Sequence, residues 1–262
     1  MFFVIFVVAM IFSAVGFKKY IWFISIGYGF AIAGIGGALL ISFREGLSLW
    51  TALYCVLFLI YGVRLGGYLA YRETDRTTYN KKMKGEIKES DDVSFITKLL
   101  IWVFAALLYA CESAPLLFRL QTGHGTDVFL VIGVILSAAG IVVETLSDVQ
   151  KQQAKRVAPD SFVSTGLFSL VRCPNYLGEL MMWTGVFISG LSVYNGLVMW
   201  LVALAGYIGI VYVMFSGARR LELSQEHTYG QDPAYREYVK KTPIMIPFIP
   251  LYSVMKYKWL IA

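Results

Sequence analysis

Long apolar runs separated by short polar stretches make up most of the chain. A helix needs about 20 apolar residues to cross a bilayer. We predict seven spans, of which the first is short, at residues 2–17, 20–43, 47–71, 95–120, 128–147, 175–191 and 195–215. Lipid offers no partner to backbone polar groups, so a spanning segment must satisfy them internally, as a helix does. The pattern therefore predicts an all-α integral membrane protein, a seven-transmembrane helix bundle that forms a single membrane domain over residues 1–262.

Composition supports the membrane interpretation. Hydrophobic residues make up 58% of the 262 residues and charged residues only 15%, whereas a soluble domain carries about 25% charged residues. The net charge is +6, but most of the basic residues lie between the predicted spans. This placement is typical of topology determinants that face membrane lipids, so we expect no nucleic-acid partner. The three cysteines and two histidines have no metal-ligand spacing, and we expect no metal site.

The lysines and arginines are distributed unequally between the two sides of the membrane. They concentrate in the predicted loops 72–94 and 148–174 and in the tail, 216–262, whereas the opposite side receives mainly Arg44 and Arg119. The positive-inside rule then places the N-terminus outside and the C-terminus in the cytosol. We expect the membrane to be a bacterial inner membrane or the endoplasmic reticulum, with the candidate site open to the cytosol.

The stretch Thr165–Glu179, TGLFSLVRCPNYLGE, is polar and turn-rich between two apolar runs. Asn175 and Glu179 are four residues apart, so they share one face if the following run is helical. Arg172 and Tyr176 add a guanidinium and a phenol at the same membrane entrance. Crossing a membrane requires none of these groups, so we expect chemistry here.

Three of the charged residues in or at the end of predicted spans are candidates for a functional role. Arg64 belongs to the third span and Glu112 to the fourth, at a cost of about 2.5–3.5 kcal/mol for arginine on insertion scales. Asp148 is predicted to close the fifth span, where a carboxylate opposes the helix dipole. Each also has a purely structural explanation. Arg64 could extend to the lipid headgroups, Glu112 could be hydrogen-bonded between helices, and Asp148 could form an ion pair with Lys151 or Lys155.

A set of basic residues could gather around the phosphates of a dinucleotide, because a guanidinium matches phosphate geometry. Taken singly, each is equally explained as positive-inside charge. The members are Lys155, Arg156, Arg172, Arg219 and Arg220.

Several motifs together resemble the steroid 5-alpha-reductase superfamily, specifically its bacterial-type branch of unknown function. They are GLFSLVRCPNYLGE at Gly166–Glu179, the pair Ser147-Asp148, the tail sequence YREYVKKTPIMIPFIP, Tyr61-x-x-Arg64, and ETDR at Glu73–Arg76. The resemblance covers roughly residues 55–250 and is strongest after Glu144. The first two predicted spans match only in hydropathy.

The resemblance implies a seven-helix bundle that binds NADPH on the cytosolic side and reduces a carbon–carbon double bond conjugated to a carbonyl. Tyr61 takes the place of the tyrosine that polarises the carbonyl oxygen. Asn175 and Glu179 match residues at the nicotinamide end, and Asp148 matches one on the adenosine or ribose side. Arg64 and Arg72 match basic or polar positions near the cofactor.

This chain departs from the superfamily pattern in its second span, which lacks the glutamate that accompanies the tyrosine in steroid reductases; Tyr28 falls near that place. Glu112 is a candidate substitute from the fourth span. The tail arginine of the family could be either Arg219 or Arg220. We therefore expect a monomer that acts on an apolar lipid, sterol- or isoprenoid-like, of open identity.

Two other functions remain open. An S-adenosylmethionine-dependent methyltransferase resembling the isoprenylcysteine carboxyl methyltransferases would share the loop-then-helix plan, although those enzymes tend to carry RHPxYxGW rather than the NYLGE found here. A non-catalytic membrane protein, a scaffold or a transporter, is the second alternative. No inverted repeat of the kind that transporters use is evident.

Overall fold

The computed structural model describes residues 1–74 and 93–261. Within these residues the structure is all-helical, which confirms the predicted class. The described residues form eight α-helices: α1 (Phe2–Ser13), α2 (Ile26–Ser42), α3 (Leu49–Thr74), α4 (Phe95–Thr122), α5 (Val128–Val157), α6 (Pro174–Ser189), α7 (Leu197–Tyr229) and α8 (Pro233–Lys241). Most of the predicted loop 72–94, including Arg76, lies outside the described residues.

Five helical segments in the described part of the chain are long and apolar enough to cross a membrane. They are Tyr20–Ser42, Leu49–Glu73, Phe95–Thr122, Val128–Val157 and Leu197–Tyr229. Phe2–Phe17 is apolar but shorter, and α6 has 16 residues. The five segments are consistent with an integral membrane protein.

Two helices continue well past the ends that hydropathy predicts. α5 runs to Val157, so the expectation that Asp148 closes this helix was wrong. The sequence after Asp148, VQKQQAKRV, consists mainly of glutamine, lysine and arginine, whose long unbranched side chains make them good helix formers in water. Likewise α7 runs to Tyr229 without a break at Phe215. Hydropathy marks where a span leaves lipid, and a helix need not end there.

The residues fall into two compact units. The first comprises Met1–Ser137 with Thr184–Tyr207, and the second Ala138–Trp183 with Ile208–Ala262. Three helices, α5, α6 and α7, contribute residues to both. The two units are described separately below.

In the first unit, α2 and α3 touch through their backbones. A Cβ atom at Gly29 would lie 2.7 Å from the Gly66 Cα and 2.9 Å from the Gly62 carbonyl oxygen. A Cβ atom at Gly62 would in turn meet the Gly29 carbonyl oxygen and the Ala33 amide. Small residues permit such close approach between helices in lipid. The contact sets Tyr28 and Tyr61, the neighbours of these glycines, against each other.

A buried arginine ties together two loops of the first unit. Arg119 donates to the Ser189 carbonyl at 2.8 Å, to Asp127 at 3.0 Å and to the Ser192 hydroxyl at 2.6 Å. Burial acts to raise the pKa of Asp127, but hydrogen bonds from Ser192, the Leu130 amide and Arg119 outweigh it and lower the pKa to about 2. Arg119, which the sequence marks only as a topology charge, is thus a structural anchor.

In the second unit, α5 and α6 also meet at glycine. A Cβ atom at Gly178 would lie 2.7 Å from the Glu144 amide nitrogen and from the Gly140 carbonyl oxygen. This contact lies one residue before Glu179, and it fixes the start of α6 against the middle of α5. Beyond α8, the chain is hydrogen-bonded to the loop before α6 and to α7.

Replacing Gly62 by alanine should destabilise the protein, because the added methyl group meets backbone atoms that cannot move aside. Overpacking of this kind costs about 1–3 kcal/mol. Gly67, on the same helix, has space for a methyl group, because no heavy atom lies within 4 Å of the place a Cβ atom would take. Gly67→Ala is therefore the matched control and should be neutral or stabilise by up to about 1 kcal/mol. Thermal unfolding in detergent measures both, and equal effects of the two variants would contradict the glycine contact.

Candidate functional site

A cluster of three buried phenols lies in the first unit. The Tyr61 hydroxyl donates to the Tyr28 hydroxyl at 2.9 Å, and Tyr61 is fully buried. The Tyr28 ring packs on the Tyr109 ring with centroids 4.9 Å apart, and the Tyr109 hydroxyl donates to the Phe23 carbonyl at 2.9 Å. Helices α2, α3 and α4 each supply one phenol. A neutral hydroxyl in such apolar surroundings suits donation to an uncharged acceptor such as a carbonyl.

Glu112 is three residues after Tyr109 on α4, so the two side chains lie on neighbouring positions of one helix face. Its side chain is buried, with 3% of the residue exposed. A Cβ atom at Gly206 of α7 would lie 2.5 Å from the Glu112 amide nitrogen, so α7 passes directly over this position. Pro115 lies inside α4 and has no amide to donate to the Cys111 carbonyl, so one helical hydrogen bond is missing beside Glu112.

Arg64 and Arg72, two of the predicted cofactor-binding residues, both lie beside the Tyr68 ring in α3. The Arg64 and Arg72 guanidinium carbons lie 5.8 Å and 5.9 Å from the centroid of the Tyr68 ring. The three residues are spaced by four, so they form a stripe along the helix. The sequence analysis did not include Tyr68 among the site residues, although its spacing of four from both arginines indicates that the three side chains share one helix face.

In the second unit, Arg172 is the centre of a buried polar network. Its Nη2 donates to Glu222 Oε1 and to the Tyr252 carbonyl, both at 2.5 Å, and only 2% of the residue is exposed. Glu222 is equally buried, and its Oε2 accepts from the Val254 amide at 2.8 Å. The network therefore joins the loop before α6, the polar end of α7 and the C-terminal segment. Sequence reasoning missed Glu222, because a partner 50 residues away leaves no local pattern.

This network uses only the Nη2 of the Arg172 guanidinium. Among the described residues, no acceptor is hydrogen-bonded to its Nε or Nη1. The Tyr235 hydroxyl lies close to this guanidinium; burial raises the pKa of Tyr235 to about 12, and the charge and hydrogen bonding of Arg172 oppose that increase. Two buried donors without an acceptor are costly, and an anionic or carbonyl group could engage them.

The neighbouring Cys173 is not a candidate nucleophile. Burial raises the pKa of its thiol to about 12, so the reactive thiolate is not formed at neutral pH. Its amide donates to the Ile244 carbonyl at 2.9 Å. Cys173 belongs to the framework that holds the C-terminal segment.

The NYLGE residues open α6. Asn175 is half-buried in the first turn, where backbone amides have no helical partner. Tyr176 packs its hydroxyl against Gly217 of α7, where a Cβ atom would lie 3.1 Å from the phenol oxygen. Glu179 is buried and accepts from the Trp183 indole at 3.2 Å. The amide and the carboxylate thus lie one turn apart on α6, as their spacing predicts.

The remaining cofactor candidates of the second unit have different surroundings. Asp148 is half-buried in the interior of α5. Lys155 donates to the Pro159 carbonyl, the Ser161 carbonyl and the Tyr229 hydroxyl, at 3.1, 2.7 and 3.0 Å. The Lys155 ammonium therefore binds both the turn after α5 and the end of α7.

The two tail arginines also differ. Arg219 donates to the Met255 carbonyl at 3.2 Å and to the Leu260 carbonyl at 3.1 Å, so it holds the C-terminal segment. Arg220 is exposed. Of the two candidates for the tail arginine, Arg220 is the one whose side chain faces outward.

The model of a family described as "Protein of unknown function (DUF1295)" matches residues 5–242, most of the chain, and the chain belongs to this family. No curated protein and no solved structure matched the chain. Among the described residues, no group of three or more histidine, cysteine, aspartate or glutamate side chains could hold a metal ion. The family carries no activity in its description, so function rests on the site itself.

Replacing Glu222 by glutamine should destabilise the protein strongly, because Arg172 would keep its charge in a buried place without a countercharge. Removing one partner of a buried ion pair costs about 3–5 kcal/mol. Glu226, one turn further along α7, is exposed, and Glu226→Gln is the matched control. Thermal unfolding together with limited proteolysis of the C-terminal segment measures the effect. Equal stability of the two variants would contradict a stabilising role for the pair.

Proposed function

We propose that this protein is an NADPH-dependent membrane reductase of a carbon–carbon double bond conjugated to a carbonyl in an apolar lipid. The substrate would be sterol- or isoprenoid-like, and the protein would act as a monomer. The proposal combines the resemblance of the NYLGE stretch and tail with the chemistry available at the phenol cluster.

The proposal includes a particular membrane arrangement. The five long apolar segments would be joined by Phe2–Phe17 and by α6 as shorter spans, giving a seven-helix bundle. Asymmetry of lysine and arginine supports an N-terminus outside and a C-terminus in the cytosol. The cofactor residues would then open to the cytosol of a bacterial cell, or to that side of the endoplasmic reticulum.

The observation that carries the proposal is the buried pair of phenols, with the Tyr61 hydroxyl 2.9 Å from the Tyr28 hydroxyl. Reduction at the carbon β to a carbonyl builds negative charge on the carbonyl oxygen. A fixed hydroxyl donor in a dry site stabilises that charge far more than it would in water. With substrate bound, the single hydroxyl proton of Tyr61 would be donated to this oxygen, and the Tyr28 hydroxyl would turn to donate to Tyr61 and hold it in place. Methyl transfer has no need of such a pair.

Tyr28 and Glu112 are the candidates for the role that a second-span glutamate takes in the steroid reductases. Tyr28 has the direct contact, because its hydroxyl meets Tyr61 and its ring meets Tyr109. Glu112 lies one turn beyond Tyr109, and its carboxyl group is buried. We assign the orientation of the Tyr61 hydroxyl to Tyr28 and contact with the substrate to Glu112.

Residues of the second unit would hold the cofactor, which when bound supplies a hydride. Asn175 and Glu179 offer an amide and a carboxylate, one turn apart, to the carboxamide of a nicotinamide ring. The Nε and Nη1 of Arg172 and the exposed Arg220 suit anionic or carbonyl groups. Asp148 would accept from a ribose hydroxyl. We assign no phosphate contact to Lys155 or Arg219, because the Lys155 ammonium and the Nε and Nη1 of Arg219 already donate to protein oxygens.

Binding of NADPH to the purified protein tests the cofactor half of the proposal. A ligand at 100 times its dissociation constant stabilises a fold by about 2.7 kcal/mol, so NADPH should raise the unfolding temperature of the parent. Asn175→Ala and Glu179→Ala should reduce this rise, while Glu226→Gln should retain it. If S-adenosylmethionine stabilises the protein and NADPH does not, the methyltransferase replaces the reductase; if neither does, the protein is not an enzyme of either kind.

Replacing Tyr61 by phenylalanine tests the catalytic half. The loss of one donor to a developing oxyanion lowers kcat by about 100- to 1,000-fold, and NADPH affinity should not change. Tyr54 is a matched control: it is a fully buried tyrosine on the same helix, bonded to the Ser137 hydroxyl at 2.7 Å. Turnover of an enone lipid by Tyr61→Phe at the rate of Tyr54→Phe would remove Tyr61 from catalysis. Unimpaired turnover by Glu112→Gln would likewise remove Glu112.

A further inference from the structure

The C-terminal strap, residues 242–261, carries apolar side chains on its outer side. The strap follows α8 and has no helix of its own. Its inner side chains, Ile244, Met245, Val254 and Leu260, are buried within the second unit. Outward-facing side chains include Phe248, which is fully exposed, and Trp259, which is 66% exposed. A large apolar surface that points outward from a fixed segment marks a binding surface.

The strap is fixed firmly enough to present these side chains. The Arg172 and Cys173 amides donate to the Pro243 and Ile244 carbonyls, each at 2.9 Å. The Ile244 amide donates to the Leu251 carbonyl at 2.8 Å and closes a loop around Phe248. Phe248 has φ of +65°, in the left-handed region, which a bulky residue rarely adopts. The turn thus holds the phenyl ring outward at a conformational cost.

The strap lies at the depth where α7 leaves its apolar run. That run ends at Phe215, and Tyr212 is three residues earlier, about 4.5 Å along the helix axis. The Tyr212 hydroxyl donates to the Trp259 carbonyl at 3.1 Å and accepts from the Ile261 amide at 3.3 Å. The Tyr212 and Trp259 rings stack with centroids 6.1 Å apart. Tryptophan and tyrosine at this depth are typical of the boundary between lipid and water.

The charged side chains of the C-terminal part of the chain are all positive. From Tyr238 onward there are four lysines, Lys240, Lys241, Lys256 and Lys258, and no aspartate or glutamate. Lys256 and Lys258 are exposed and flank Tyr257 in the strap. Lysines close to an anionic lipid surface each favour binding by about fivefold. Apolar anchors and lysines together complement an anionic bilayer surface better than a second copy of this basic chain.

We propose that the strap is an interfacial membrane-binding segment, in which Phe248 and Trp259 insert at the headgroup boundary while Lys256 and Lys258 bind anionic lipid headgroups. The segment would fix the polar end of α7 and the loop before α6 at the bilayer surface, through the bonds of Arg172, Arg219 and Tyr212 to the strap. This role is independent of any catalytic activity.

A polarity-sensitive fluorophore at position 248 tests the insertion. The Phe248→Cys variant of the full chain is labelled and reconstituted in phosphatidylcholine vesicles, and the unsubstituted protein, whose three cysteines are buried, gives the background. Thr228→Cys is the matched control, an exposed position on α7 about 20 Å beyond Phe215. The label at 248 should emit at shorter wavelength and be quenched by lipids with a nitroxide at a shallow acyl position, and the label at 228 should not.

Quenching by lipids that is no stronger at 248 than at 228 would overturn the insertion. Self-quenching that depends on the density of labelled protein would instead indicate a second copy on this surface, and it would also overturn the proposal.

The lysines are tested in the same labelled background with nitroxide carried on phosphatidylglycerol or on phosphatidylcholine. Phosphatidylglycerol should quench the label at 248 several-fold more effectively. The double variant Lys256→Gln and Lys258→Gln should lose this preference while it keeps quenching by phosphatidylcholine. An unchanged preference in the double variant would overturn the assignment of these lysines to anionic lipid.

Discussion

Backbone contact between helices at glycine is the constraint on which the candidate site depends. Lipid provides little hydrophobic drive for helices to associate, so close packing supplies it. In the first unit, contact between Gly29 and Gly62 sets the neighbouring phenols of Tyr28 and Tyr61 at hydrogen-bond distance. In the second unit, Gly178 packs on α5 immediately before Glu179. In both units, the polar group stands next to the glycine that positions it.

The second constraint is a buried ion pair that connects distant parts of the second unit. Arg172 and Glu222 lie 50 residues apart and are both almost fully buried. Their remaining hydrogen bonds go to the backbone of residues 252 and 254, so the C-terminal segment is held by charge as well as by packing. Such a pair is costly to break rather than a large net source of stability. It explains why a polar arginine stands in the middle of the GLFSLVRCPNYLGE stretch.

The sequence was most informative where the physics is local. Hydropathy located the helices, and the spacing of Asn175 and Glu179 gave their position on one turn of α6. It was less informative where an element continues into water, since the helix beyond Asp148 is maintained by residues without an apolar pattern. Contacts far apart in the chain, such as Arg172 with Glu222 or Lys155 with Tyr229, leave no periodic signal. For that reason the sequence did not predict that Lys155 and Arg219, two expected phosphate ligands, donate to protein oxygens.

Transfer of an isotope from the cofactor to a lipid tests the reductase most directly. The purified protein would receive a lipid extract with NADPH deuterated at the transferable position of the nicotinamide C4, and in parallel S-adenosylmethionine with a deuterated methyl group. The account predicts that deuterium from NADPH appears on a carbon of an apolar lipid that has lost a conjugated double bond, and that Tyr61→Phe abolishes most of this label. Label arriving only as a methyl group, or no label from either cofactor, would contradict it.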